Sequence, residues 1–396
     1  MWKQLLGGKL GRRVACLGCV LLILSCGSVS NSADSTSWQA VDLPGQPSGL
    51  RGVAYDPKRD CLWIITRAPD SNGLPFVTLA RLDVSGAHKV TPTRVHLLGD
   101  GYIAGQVATD SRGNVWMAWG KTLAEYDPDT QSIESWPIPV TEALLVDSSN
   151  PGVDANALAM TMDSSGEVWI AAHTVTALFG FNIASKVFDR VVPISITPVR
   201  VTKLVARPDG TLMINGLKGQ AISGPLVLAE VSVSTGSTQI VSDSVADYAV
   251  APSGLIVVLD ESNRLAEMDM SSGATNVLAS QAPIANPSQL VVDSAGDVWF
   301  AMIATRLVGI GRVSGSTGAL TTYPFPQPAV TASASAALPA CDPLGGRNCS
   351  TAAPVFDPRI QAICLDGQGH IWVVTRMSGS GDPNSFVAMS PVYELT

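Results

Sequence analysis

Hydrophobic positions in this chain come in short apolar runs, each run stops at a polar, turn-forming cluster, and the same run returns along the chain. Val107-Ala-Thr-Asp-Ser-Arg-Gly-Asn-Val-Trp116 is matched by Met160-Thr-Met-Asp-Ser-Ser-Gly-Glu-Val-Trp169. Leu290-Val-Val-Asp-Ser-Ala-Gly-Asp-Val-Trp299 and Ile363-Cys-Leu-Asp-Gly-Gln-Gly-His-Ile-Trp372 follow the same pattern. Weaker copies begin at Val53, Val205 and Val250, making seven units. A short apolar run bounded by turn residues reads as a strand. The Asp-x-x-Gly cluster indicates a tight turn, because Gly tolerates positive φ and Asp bonds to nearby backbone.

Each unit then continues into two more strands, as in Leu123-Ala-Glu-Tyr-Asp-Pro-Asp-Thr-Gln-Ser-Ile-Glu-Ser-Trp-Pro137. Four short antiparallel strands per repeat, repeated radially, predict an all-β, seven-bladed β-propeller. The repeat Trp positions, Trp63, Trp116, Trp169, Trp299 and Trp372, with Met213 and Val257 standing in, are expected to pack between blades. The last unit stops at Val392-Tyr-Glu-Leu-Thr396, its third strand. The orphan segment Ser37-Trp-Gln-Ala-Val-Asp-Leu-Pro44 resembles the fourth strands of other units, so an N-terminal strand is predicted to close the ring. The expected organisation is a leader over residues 1–25, a flexible tether over 26–37, and one propeller over 38–396 with a loop insertion at 327–357.

Composition fits a large folded core, with 46% hydrophobic and 15% charged residues. Lys3, Lys9, Arg12 and Arg13 precede an apolar stretch from Val14 to Leu24, too short for a membrane span and suited to an export signal. It ends in Ile23-Leu24-Ser25-Cys26-Gly27, which resembles a bacterial lipobox. That resemblance implies lipidation at Cys26 and a membrane anchor at the cell envelope; an ordinary signal peptide that contains Cys is the alternative. Without the leader, 21 basic residues face 33 acidic ones, a balance of −12, which argues against a nucleic-acid partner. Four cysteines then remain. Cys341 and Cys349 share one loop and are expected to form a disulfide. Cys61 and Cys364 are either a second bridge or two buried thiols.

Asp293-Ser-Ala-Gly-Asp-Val-Trp-Phe300 followed by Ile310-Gly-Arg-Val313 resembles the repeat of the virginiamycin B lyase (streptogramin lyase) family and, more loosely, NHL-type repeats. The resemblance covers residues 38–396. It implies the propeller fold and a lyase that uses Mg²⁺ and a His base on one face of the ring. The Thr-Glu that follows the repeat Trp in that family is not kept in any unit, and only Asp260, beside Glu261, retains an acid nearby.

One face of the predicted ring gathers the ends of second strands, the starts of first strands and the insertions 67–76, 141–154, 327–357 and 376–386. Loops on a rigid scaffold commonly carry binding. Arg67, Gln106, Lys203, Asp247, Gln289 and Arg376 are the candidate ligand-binding residues there. Gln106, Lys203, Asp247 and Gln289 each stand seven positions before a repeat Gly. His173 is the candidate base, and Asp260 with Glu261 the candidate site for Mg²⁺ or Ca²⁺. His88, His96 and His370 fall toward the opposite face with no role legible in the pattern. The expected function is a monomeric envelope scaffold that binds a protein, peptide or glycan, with a metal-assisted lyase as the alternative.

Overall fold

The computed structural model describes residues 37–41, 43, 49–69, 75–86, 88–95, 106–141, 157–172, 175–196, 199–218, 226–260, 262–270, 274–279, 288–304, 307–325, 357–378 and 392–396. These residues form seven four-stranded antiparallel sheets, without a helix among them. Blades 1 to 6 are continuous in the chain, over 49–95, 106–137, 157–193, 199–242, 245–279 and 288–324. Blade 7 consists of Asp357–Leu365, Ile371–Ser378 and Val392–Leu395, with Trp38–Val41 as its outermost strand. Trp38 pairs with Leu395 and Val41 with Val392, so the predicted N-terminal closure is present. First strands of successive blades lie side by side around the ring.

The repeat motif has a specific physical basis. In blades 2, 3, 6 and 7 the turn aspartate accepts two backbone N–H groups with Oδ1 and the repeat indole N–H with Oδ2. Asp163 Oδ1, for example, takes the amides of Ser165 and Glu167 at 2.9 and 3.0 Å, and its Oδ2 takes Trp169 Nε1 at 2.8 Å. The same indole bond joins Trp116 to Asp110, Trp299 to Asp293 and Trp372 to Asp366. The glycine between them sits at φ 83–86°, where a side chain would be strained. One side chain thereby builds the turn and fixes the ring that fills the next seam.

Seven apolar clusters account for the core, one at each seam between blades. Trp116 packs on Ile170 and Phe179 of blade 3, and Trp169 on Leu204 and Ile214 of blade 4. Removing one such Trp is expected to cost about 3–5 kcal/mol. Where Trp is missing, a neighbour supplies the bulk. Tyr248 fills the seam beside Met213, and its hydroxyl donates to Met213 O at 2.6 Å. Phe300 fills the seam beside Val257, and Gly311 makes room for it, since a Cβ there would overlap the Phe300 ring.

At the insertion 67–76 the second strand runs to Pro69 and the third starts at Pro75. Cys61 and Cys364 are free thiols, not a bridge. They belong to adjacent blades but to different seams. Cys61 faces blade 2 beside Trp63 and Val115, whereas Cys364 packs with the cluster between blades 7 and 1. The blade 1 sheet therefore separates them. Burial pushes both thiols up to about 12, so they stay protonated at neutral pH. Cys26, Cys341 and Cys349 lie outside the described residues.

Candidate functional site

First strands bring one residue per blade to an equivalent place at the channel mouth. Gln106 pairs with Ala118, Lys203 with Asn215 and Asp247 with Leu259, each partner two residues beyond the repeat Trp or its substitute. Gly52, Ala159 and Ala362 hold the same register in blades 1, 3 and 7. A bulge falls just before this position in blades 1, 3, 4, 5 and 7, and at Gln289 itself in blade 6. A bulge sets two residues against one and re-aims the side chain that follows. The ring is therefore lopsided, with polar side chains from blades 2, 4, 5 and 6 and small ones from blades 7, 1 and 3.

Gln106, Lys203, Asn215, Asp247 and Gln289 line a cavity of about 380 Å³ at this mouth. Lys203 Nζ donates to Asp247 Oδ1 at 2.8 Å and to Tyr248 O at 2.5 Å, and lies 3.5 Å from Leu290 O. Asp247 Oδ1 also accepts the Tyr248 amide at 2.8 Å, and Oδ2 accepts the Leu290 amide at 2.9 Å. The pair thus ties blade 4 to blade 5 and blade 5 to blade 6, and the ammonium sits 5.2 Å from the Tyr248 ring centroid. Charge at the mouth is balanced locally. Asn215, 2% exposed, keeps a buried Oδ1 with no hydrogen-bond partner among the described residues. Gln289 is exposed and held at φ 65°.

Asp260 is outside the cavity lining. Its Oδ1 accepts the amides of Ser262 and Arg264, and its Oδ2 takes Arg264 Nε at 2.6 Å. Burial alone would raise this carboxyl, but those bonds and the guanidinium together bring it below the ordinary carboxylate range. Arg67 and Arg376 occupy strand positions opposite Gly49 and Arg359. His173 and Glu261 lie outside the described residues. Asn215 was not anticipated as a site residue. Its signal is a polar side chain two positions past Met213, where the other units carry Ile65, Ala118, Ala171, Leu259, Ala301 or Val374.

Fold and site together define a seven-bladed propeller with a polar, asymmetric channel mouth. No protein-family model matches the chain, and no curated protein matches it in sequence. Among solved structures it is similar to a streptogramin B lyase, at 11% identity and TM-score 0.62, over 91% of this chain and 97% of that one. It is also similar to a catalytically inactive virginiamycin B lyase from Staphylococcus aureus with quinupristin, at 15% identity and TM-score 0.60, over 91% and 99%. A third neighbour is the extracellular domain of a hybrid two-component system from B. thetaiotaomicron, at 13% identity and TM-score 0.55, over 91% of this chain and 42% of that one. At these identities the likeness concerns the fold. No helix among the described residues is long and apolar enough to cross a membrane.

Proposed function

We propose that this chain is a binding propeller whose channel mouth takes an uncharged polar segment of its ligand, a protein loop, peptide or glycan, at the cell envelope. The observation that carries the reading is the lopsided mouth. Lys203 and Asp247 satisfy one another and leave Gln106 and Gln289, beside Asn215, to line a cavity of about 380 Å³. Such groups match amide and hydroxyl partners, and the volume lies at the low end of the roughly 300–1,000 Å³ range of ligand sites. Gln289 holds a left-handed conformation, which costs a non-glycine residue on the order of 1 kcal/mol and collects where geometry is used. The extracellular domain among its structural neighbours supports export, and Cys26 would then anchor the propeller by its lipid. Mature residues 26–37 serve as the tether in this reading.

The test is an array of envelope peptides and glycans probed with wild-type chain, the Gln106→Ala/Gln289→Ala double variant and Asn215→Ala. The reading expects ligands held by the wild type and weakened at least about tenfold by the double variant, the loss of one or two neutral hydrogen bonds. Equal binding by the wild type and the double variant would move the site away from the mouth.

A further inference from the structure

On the opposite face, where blade 7 meets blade 1, four side chains converge. His370 Nδ1 lies 3.1 Å from Asp366 Oδ2 and 3.2 Å from Glu394 Oε1. The other oxygen of Glu394 lies 3.2 Å from His88 Nε2, which reaches over from blade 1. We propose that Asp366, His370 and Glu394 bind one divalent transition-metal ion of the Zn²⁺ type, with His88 orienting the Glu394 carboxylate, so that the ion pins the seam where the ring closes.

The argument begins with uncompensated charge. Glu394 pairs in register with Trp372, on the third strand of its blade. The equivalent acids in blades 2 and 4, Glu125 and Glu230, are met by Arg112 at 3.2 Å and Arg207 at 2.7 Å. In blade 6 the polarity is reversed, and Arg312 meets Asp297. Blade 7 sets imidazoles against two buried carboxylates, Glu394 at 3% exposure and Asp366 at 7%. Two buried carboxylates without a permanent cation are costly, and a divalent ion removes that cost.

Geometry points the same way. The ligand atoms of Asp366, His370 and Glu394 all lie within 4.8 Å of one another. Ligands at 2.0–2.2 Å around a tetrahedral zinc ion stand about 3.3–3.5 Å apart, close to the separations at His370. Its Nδ1 is buried and faces both oxygens, yet makes an aligned hydrogen bond to neither. As the unprotonated nitrogen of a neutral imidazole, Nδ1 would offer its lone pair to an ion held between those oxygens. Among the described residues Asp366 Oδ2 accepts the Trp372 indole at 2.9 Å, which leaves it a second lone pair. A mixed imidazole and carboxylate set selects zinc-like ions over Mg²⁺ and Ca²⁺, which prefer all-oxygen shells.

The test uses the full chain after chelator treatment, titrated with Zn²⁺, Mg²⁺ and Ca²⁺ by calorimetry and followed by thermal melting. One Zn²⁺ per chain is expected, with a raised melting temperature and no comparable response to Mg²⁺ or Ca²⁺. Glu394→Gln keeps the side-chain shape and drops a buried charge, so it should fold, which circular dichroism checks. That variant and His370→Ala should each weaken Zn²⁺ by more than about 100-fold, since even an outer-shell change costs 10- to 100-fold. With Co²⁺ in place of Zn²⁺, the visible ligand-field bands should vanish in His370→Ala. Absence of saturable one-to-one Zn²⁺ binding by the wild type, or less than tenfold loss in either variant, would overturn the assignment.

Discussion

Asp163 links a turn, an indole and a seam with one carboxylate. Burial alone would raise its carboxyl, but bonds from Ser165, the Glu167 amide and the Trp169 indole together bring it below the ordinary carboxylate value. A carboxyl lower in the folded than in the unfolded state releases its proton more readily when folded. Its contribution to stability is therefore complete above the unfolded value, about 3.9. It fades as pH falls through the lower folded value. Asp163→Asn puts an amide donor against an indole donor and should cost about 1–3 kcal/mol at pH 7. Urea unfolding at pH 7 and again near pH 3 checks this, because the gap between wild type and variant should narrow in acid. An equal gap at both would show that shape, not charge, is what the turn needs.

Between elements, the seams differ in how they are joined, and a part-buried ion pair with its backbone partners links blades 4, 5 and 6. Met213 and Val257 are smaller than Trp, and the Lys203–Asp247 bridge runs along the same two seams. Asp247 is the better buried of the pair, so removing Lys203 leaves a nearly enclosed carboxylate with backbone donors alone. Lys203→Met should cost about 1–3 kcal/mol, discounted from the usual buried-pair figure because the lysine side chain is part exposed. A double-mutant cycle with Asp247→Ala should return a coupling of about 1–2 kcal/mol in denaturant midpoints. Gln106→Ala and Gln289→Ala should leave those midpoints within about 0.5 kcal/mol. That contrast separates the part of the mouth that holds the ring together from the part proposed to hold a ligand. A coupling near zero would mean that the bridge contributes nothing to the seam.

The elements legible in the sequence are those whose signal is local or repeats in phase. The turn and the Trp six residues later are contiguous, so seven units can be aligned by eye, and the polar mouth residues follow by counting back from the glycine. The outermost strand of blade 7 is legible because Trp38 imitates Trp136 and Tyr323. Long-range pairing of faces is not legible. Adjacency of Cys61 and Cys364 by blade says nothing about which side of the sheet each occupies, and strand alternation sends them to different seams. His88 meets Glu394 because a turn of blade 1 reaches across to the third strand of blade 7, more than three hundred residues away in sequence. Neither residue stands in a motif that sequence spacing alone would single out.

At the scale of the whole ring, that closing blade is the one place where the chain's two ends meet, and stability should be most concentrated there. Trp38 pairs with Leu395, and its ring lies 4.6 Å from Phe325 in the seam between blades 6 and 7. Val41 belongs to the other seam, between blades 7 and 1, with Trp372 and Leu62. Four residues therefore touch both neighbours of the last blade. A chain starting at Leu43 would lose that outer strand and bare the edge of Val392–Leu395, a template for pairing with another molecule. Truncation to Leu43 should lower the melting temperature and produce dimers or larger species in light scattering at micromolar concentration. Trp38→Ala, which keeps the strand but removes its largest contact, should cost about 2–4 kcal/mol, somewhat less than a fully buried Trp, and scatter light as the wild type does. The two variants separate packing from edge protection. If the truncated chain scatters light as the wild type does, with an unchanged melting curve, ring closure by the N-terminal strand is dispensable. In that case blades 1 to 6 and the three remaining strands of blade 7 hold the propeller shut without it.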